Sequence, residues 1–483
     1  MNPVVRKKLE RLAGGEPPRV LDLFAGCGGI SLGFQRAGYR IDAAVEADDL
    51  AAQSHAQNFH DGEARHARAR DILKTEPGEL TLELGLGAVQ HAFDIVVGGP
   101  PCQAYARVGR AKLREVADHP EAFRRDARAN LYMRYLHYVA CTKPLGILME
   151  NVPDIMNFGG KNIAQEICEA LEELGYEARY TLTNASHHGV PQFRDRVFLV
   201  AWRRELMLTP SFPQPTHHEV LPVGYGGTRA VALKHVDLLD GAHFIQEPTG
   251  QRGLANAITA EQALSDLPSI TAHLDGTMKR GARRFDVLAR YARRRPSDYA
   301  AEMRDWKGFR SEDGVLDHVI RLLPRDAPIF RAMKHGDEYP AAHATAMSLF
   351  DRELRKIERR DGPLSRGARA ALLKSMVPPY PLHSFPNRWW KLRPDAPVRT
   401  LLAHLGKDSY THIHYDSDQA RTISVREAAR LQSFPDGFVF CGTMNPAFRQ
   451  IGNAVPPLMA WRIARHMRQQ LREVTRSAAQ KAA

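Results

Sequence analysis

The residues best equipped for chemistry sit at the ends of short apolar runs. In DIVVGGPPCQAYARVGR, Cys102 follows Gly98, Gly99, Pro100 and Pro101 directly after a strand-like stretch. Glycines let the chain turn and prolines fix the backbone, so the thiol is presented and not packed. A thiol held this way suits a nucleophile, whereas Cys141 and Cys168, inside helical patterns, read as small buried hydrophobes. LMENVPD sets Glu150 and Asn151 after a second run, and GVPQFRDRVFLVA sets Gln192, Arg194 and Arg196 at the entrance to a third. Singly, Glu150 reads equally well as a helix cap and the arginines as a solvated edge. Beside the cysteine loop they are far more specific, because a nucleophilic thiol needs such partners.

A second constellation points to a ligand. DLFAGCGGISLGF places Gly26, Gly28 and Gly29 between a strand and a helix, where a backbone without Cβ atoms can turn tightly and approach a bound molecule. Many turns of this kind need glycine only for packing. Two details favour a ligand: Glu46 ends the next strand, where a carboxylate can take ribose hydroxyls, and Ser31 replaces the third glycine of the dinucleotide pattern. A nucleoside-bearing molecule without a cradled pyrophosphate fits these residues better than NAD does. Asp71 and Ile72 in ARDILK are expected to close the third strand and to meet a base edge and face, although such a pair is usually a plain strand terminus.

The elements that must position these groups follow a rhythm. RVLDLF, YRIDAAVEA, FDIVVGG, LGILMEN and RVFLVAW alternate with helical patterns such as LYMRYLHYVACTKP, which predicts βαβ units and a mainly parallel α/β sheet. In open sheets of this class ligands bind beyond the carboxyl ends of the strands, where Cys102 falls. After about Arg204 the chain becomes rich in Pro, His and Arg and less regular. Order returns at RTISVREAARLQSFPD, where Ser424 and Glu427 form a capping box and Pro435 is expected to stop the helix. Met459, Ile463, Met467 and Leu471 then share one face of a last helix. The expected layout is a first domain over 1–204 completed by 445–475, a second over 205–444, and a disordered tail over 476–483.

Composition bounds the setting. The chain has 483 residues, and its five cysteines include no C-x-x-C pair, so neither a disulfide framework nor a zinc site is expected. The charged opening MNPVVRKKLERLAGGEPP has no apolar signal core, and no stretch approaches membrane-spanning length, which predicts a cytoplasmic protein without a membrane partner. A net charge of +12 suits a polyanion but does not by itself decide for one. His404, His412 and His414 lack a further well-spaced ligand, so ordinary polar contacts are expected of them and no metal.

Taken together, DLFAGCGGISLGF, VEAD, GGPPCQAY, MENV, GVPQFRDRVFLV, REAARLQSFPD and QIGNAVPP, in that order, resemble the DNA (cytosine-5) methyltransferases across most of residues 19–204 and 396–465. The resemblance implies a Rossmann-like S-adenosylmethionine-dependent methyltransferase fold with a smaller, irregular target recognition domain. It implies S-adenosylmethionine as cofactor, with Phe24, Gly26, Gly28, Gly29, Glu46, Asp71, Ile72, Pro101, Leu131, Asn453 and Val455 around it. The C-terminal helix should then dock beside the first strand. Cys102, Glu150, Arg194 and Arg196 become the catalytic set, and Gln103, Asn151 and Gln192 the contacts to DNA or the target base. The implied partner is double-stranded DNA, bound by a monomer, with a companion restriction endonuclease acting on the same sequence in a prokaryotic cell. Ala106 stands where the family's loop has serine. The rival readings are the same chemistry on tRNA, a catalytically dead DNA-binding module, and a small-molecule methyltransferase. The last has no use for a second domain or a proline-flanked cysteine.

Overall fold

Six of the chain's extended runs hydrogen-bond into one sheet: β1 (Arg19–Leu23), β2 (Arg40–Val45), β3 (Ile95–Gly98), β4 (Gly146–Asn151), β5 (Tyr176–Asn184) and β6 (Asp195–Arg203). Their order is β2-β1-β3-β4-β6-β5, the first four parallel and β6 antiparallel to both β4 and β5. The computed structural model describes residues 1–101, 130–236, 243–248, 253–278, 285–292, 295–383, 386–407 and 410–482. Cys102, Gln103 and Ala106 therefore lie outside the described residues. Every residue of β3 is buried, as expected of a central strand covered on both faces.

The chain divides into two compact units, Met1–Ala257 with Val439–Cys441 and Ala454–Ala483, and Ile258–Phe438 with Gly442–Asn453. The break expected near 204 falls inside the first unit, and residues 445–453 belong to the second.

In the first unit the helices that matter here are α1 (Pro3–Ala13), α2 (Gly29–Arg36), α3 (Asp49–Phe59), α4 (Asn130–Thr142) and α5 (Ile163–Glu173). The second contains α6 (Tyr339–Asp361), α7 (Arg366–Met376), α8 (Val425–Leu431) and α9 (Met444–Asn453). The first is completed by α10 (Pro457–Ala482), which takes in all but the last residue of the tail expected to be disordered. Met459, Ile463, Met467 and Leu471 are all buried, as their spacing requires.

Three expectations need correction. Asp71 does not close a strand: Arg70 N–H makes one bond to the Glu46 carbonyl at 2.6 Å, and then Lys74 and Thr75 N–H both turn back to the Asp71 carbonyl. Asp71 also accepts from Leu73 N–H at 3.0 Å, a side-chain turn that competes with strand pairing. The strand absent from the reading is β5, whose YEARYTLTN alternates without a long apolar run yet pairs along its whole length with β6. Finally, α8 has its capping box at Ser424 and Glu427 but ends before Pro435. Ser433 turns left-handed at φ 66, and Phe434 N–H returns to the Ala429 carbonyl at 2.8 Å.

The second unit pairs one apolar cluster, with Phe330, Tyr339, Phe350, Trp389 and Tyr410, with buried ion pairs carried by α8. Arg430 bonds both Asp266 and Asp436, Arg426 bonds Asp317, and Arg421 holds both Glu427 oxygens at 2.7 Å. Each guanidinium is matched by several acceptors, the condition under which buried charge is tolerated. His412 bonds the Arg399 carbonyl at 3.0 Å, and the Nδ1 of His414 accepts from Asp416 N–H at 3.0 Å. Among the described residues no helix is long and apolar enough to cross a membrane.

The last helix docks on α2, the helix that follows β1. An added Cβ at Gly33 would lie 2.5 Å from Trp461 N and 2.6 Å from Ala460 Cβ. Gly33→Ala should therefore force α2 and α10 apart and cost about 1–3 kcal/mol, as overpacking does, read as a lower urea midpoint. An unchanged midpoint would show that the two helices do not cross this closely.

Candidate active site

Two strand ends bring the chemistry together. Glu150 is the penultimate residue of β4 and Arg196 the second of β6; the register pairs Glu150 with Phe198, so Arg196 lies diagonally across from it on the same face. Arg196 Nε meets Glu150 Oε1 at 2.7 Å, with both side chains nearly buried. Asn151, the last residue of β4, donates from Nδ2 to the Pro100 carbonyl at 2.7 Å and so ties the Gly-Gly-Pro-Pro loop to the strand end. Gly99 passes so close that an added Cβ would lie 2.9 Å from Glu150 Oε2. Pro101 is exposed at the end of the described loop, and Cys102 is the next residue in the chain.

The glycine turn forms the second part. Phe24 and Gly26 take positive φ values of 58 and 55, and the space over Gly26 is open, with nothing within 4 Å of an added Cβ. A phenylalanine in this left-handed region is strained and persists only where its surroundings hold it. The Glu46 carboxylate accepts from Gly26 N–H and from Asp48 N–H, each at 2.8 Å, so it pins the turn to the start of α3. A carboxylate has about four acceptor positions, so capacity remains for hydroxyl donors. Phe24, Leu131 and buried Ile72 belong to or pack against one apolar cluster, and Arg134 on α4 donates to the Ile72 carbonyl at 2.9 Å. Asp71, next to Ile72 in sequence, is half-buried.

Gly28 and Gly29 have a different reason to be glycine from the one the motif suggests. A Cβ on Gly28 would meet the Phe59 ring at 2.4 Å, and one on Gly29 would meet the Val455 carbonyl at 2.2 Å. They admit protein, and only Gly26 faces open space. Arg194, fully buried, donates to the Ala454 carbonyl at 3.1 Å, so it grips the returning segment. Burial, with Arg196 close by, pushes its guanidinium well below the ordinary range. Gln192 is buried without exposure. Val455 is buried in the first unit, and Asn453, exposed at the end of α9, falls in the second.

Sequence reasoning missed the polar group beneath the turn. Ser31 Oγ donates to Asp22 Oδ2 at 2.7 Å and lies 3.0 Å from His55 Nε2, all three residues being buried. Burial, reinforced by the charge of Glu46, pushes the Asp22 carboxyl up to about 7. Only the serine in place of the third glycine hinted at this network, since His55 has no motif around it.

These motifs also match as a whole. The family model for the C-5 cytosine-specific DNA methylase fits residues 18–271 and 355–469. The chain belongs to that family. The methylase is 37% identical over 458 residues to a protein of Oceanobacillus iheyensis named as a type II methyltransferase, M.OihORF3336P, spanning 94% of this chain and 96% of that one. It is 29% identical over 468 residues to the type II methyltransferase M.AgeI of Thalassovita gelatinovora, covering 91% and 97%. A crystal structure described as a DNA modification methyltransferase encoded within a prophage (E. coli) superposes with a TM-score of 0.58 at 22% identity, covering 94% of this chain and 99% of that one, which shows the shared fold. As a member of that family, the methylase transfers a methyl group to carbon 5 of cytosine in DNA.

One consequence concerns pH. Between pH 4 and 7 a carboxyl raised from 3.8 in the unfolded chain to about 7 in the fold holds its proton only when folded, so its contribution to stability is full below pH 4 and is lost as pH rises to and through 7. Asp22→Asn should remove up to about 3 kcal/mol of the decline between about pH 5 and pH 8, measured by denaturant unfolding at those two pH values. Equal pH slopes in the two proteins would show that Asp22 is ionised in the fold.

Proposed function

We propose that the methylase uses S-adenosylmethionine to methylate one cytosine within a short, specific sequence of double-stranded DNA, as the modification partner of a cytoplasmic restriction endonuclease, and that it acts as a monomer. The observation that carries this reading is the Glu150–Arg196 pair at 2.7 Å, next to a Pro-Pro loop that Asn151 holds at Pro100, two residues before Cys102.

Cytosine carbon 5 is a poor nucleophile. Addition of the Cys102 thiolate to carbon 6 suspends the aromaticity of the ring and makes carbon 5 enamine-like. Negative charge then grows toward N3 and O2, and the residue types at the two strand ends are suited to it. Glu150 serves N3 as acid or hydrogen-bond partner, and Arg196 places a fixed positive charge toward O2. Held together in a nearly buried site, the pair is preorganised and reorients little during reaction. Arg194 acts through the backbone, by fixing Ala454. After methylation, loss of the carbon 5 proton and departure of the thiolate restore the ring.

The glycine turn suits the methyl donor: open space over Gly26, a pinned Glu46 with acceptor positions to spare, and Phe24 with Ile72 and Leu131 as an apolar wall for a base. Bound there, S-adenosylmethionine would supply an electrophilic sulfonium methyl group. A cytosine stacked in duplex DNA hides carbon 6, so the base must be flipped out. The second unit, with its many arginines, is the candidate for reading the flanking bases.

Cys102→Ser should abolish methyl transfer and leave calorimetric S-adenosylmethionine binding intact, while a duplex carrying 5-fluorocytosine should trap the unaltered protein covalently. Methylation that persists in the variant, with no trapped species, would exclude the thiol addition. Glu150→Gln should lower kcat by about 10²–10⁴-fold in single-turnover assays, and a loss under tenfold would remove Glu150 from the chemistry. Glu46→Ala should weaken S-adenosylmethionine binding far more than DNA binding; unchanged cofactor affinity would put the ribose elsewhere.

A further inference from the structure

The family match leaves out residues 272–354, and much of α6 lies in that stretch. Together α6 and α7 form a helical hairpin turned at Gly362, whose φ of 82 suits only glycine without strain. Tyr339, Ala342, Ala346, Phe350 and Leu354 mark the buried face of α6. Arg352, Arg355 and Arg359 recur at i, i+3 and i+7 on the opposite face, all exposed. On α7 no residue is fully buried, no acid is present, and Arg366, Arg369 and Lys374 are exposed.

The charge on this ridge is only partly compensated, since Asp351, Glu353, Glu358 and Asp361 on α6 face an excess of basic residues over the two helices. Lys356 pairs with Glu353 at 3.7 Å and Arg360 with Asp361 at 2.7 Å, whereas Arg352, Arg355, Arg359, Arg366, Arg369 and Lys374 form no ion pair among the described residues. Elsewhere in this unit the buried Arg421, Arg426 and Arg430 are each matched by carboxylates. Three guanidiniums on one face of a helix repel each other, a cost that a solvated surface carries only weakly and a polyanion would reverse. The three span about 10 Å at 1.5 Å per residue, and a duplex presents one phosphate charge per about 1.7 Å of axis.

We propose that the α6–α7 hairpin grips the phosphate backbone of the duplex being methylated, independently of base sequence, through Arg352, Arg355 and Arg359 with support from Arg366, Arg369 and Lys374. The proposal rests on the duplex-methylating function above. It assigns the hairpin to holding DNA and leaves reading of the sequence to other residues, because three flexible exposed arginines facing phosphates carry no base information.

The test is the triple variant Arg352→Gln, Arg355→Gln, Arg359→Gln beside its counterpart with lysine at all three positions, each titrated with a target duplex and a scrambled duplex across a salt series. The glutamine variant should bind both duplexes ten- to a hundredfold more weakly near 0.15 M salt, on the order of what three lost phosphate contacts give. Its slope of log affinity against log salt should be shallower by about 2–3, the target-to-scrambled ratio should be unchanged, and the lysine variant should stay near the unaltered protein. S-adenosylmethionine affinity and melting temperature should not move. An unaltered salt slope overturns the proposal, and so does a changed target-to-scrambled ratio, which would place these arginines at bases. If the unaltered protein methylates the duplex while the slopes coincide, only the hairpin's role fails; if it methylates no duplex at any salt, the functional reading fails with it.

Discussion

Everything at the site rests on one close approach, the return of the chain's far end onto the first glycine-rich helix. Gly29 leaves room for the Val455 carbonyl, Gly33 lets α10 cross at Ala460 and Trp461, and Arg194 grips the Ala454 carbonyl from the sheet side. These contacts join residues more than 250 positions apart in the sequence. Two of the three are backbone approaches that any side chain larger than hydrogen would block. The C-terminal helix then lays four apolar residues against the unit that carries both strand-end clusters.

The site itself trades desolvation against preorganisation. Glu150 and Arg196 are held nearly out of water, which is costly for either charge alone and tolerable for the pair at 2.7 Å. In exchange, an acid and a cation stand fixed side by side, the arrangement that the proposed chemistry would use to meet charge developing on a pyrimidine without drawing either group out of bulk solvent. The antiparallel placement of β6 beside β4 makes this possible. It brings the start of one strand next to the end of another, so that residues 46 positions apart share one face.

The second unit solves a different problem, keeping an irregular, arginine-rich chain folded. It does so by matching its innermost guanidiniums to carboxylates and backbone carbonyls and by sorting the unmatched ones to the surface. The capping box of α8 shares Glu427 with Arg421, so a single carboxylate serves both helix start and ion pair.

How much of this was legible depended on whether the signal was local. The parallel strands were readable because a strand buried on both faces must be a short apolar run. The family was readable because its motifs hold fixed spacing around fixed chemistry, and the capping box of α8 because it needs only four consecutive residues. Strand β5 was not, since an edge strand is specified by its partner β6 more than by its own pattern. The turn at Asp71 escaped because a side-chain bond two residues on outweighs weak strand propensity. For Gly28 and Gly29 the sequence determined that a small residue was needed, and tertiary structure alone decided that Phe59 and Val455 fill the space a Cβ would take. The Ser31–Asp22–His55 group and the Glu150–Arg196 pair likewise exist only once distant segments meet. Residue type and spacing record what chemistry a chain can do, whereas contacts between remote segments depend on packing, which no local pattern encodes.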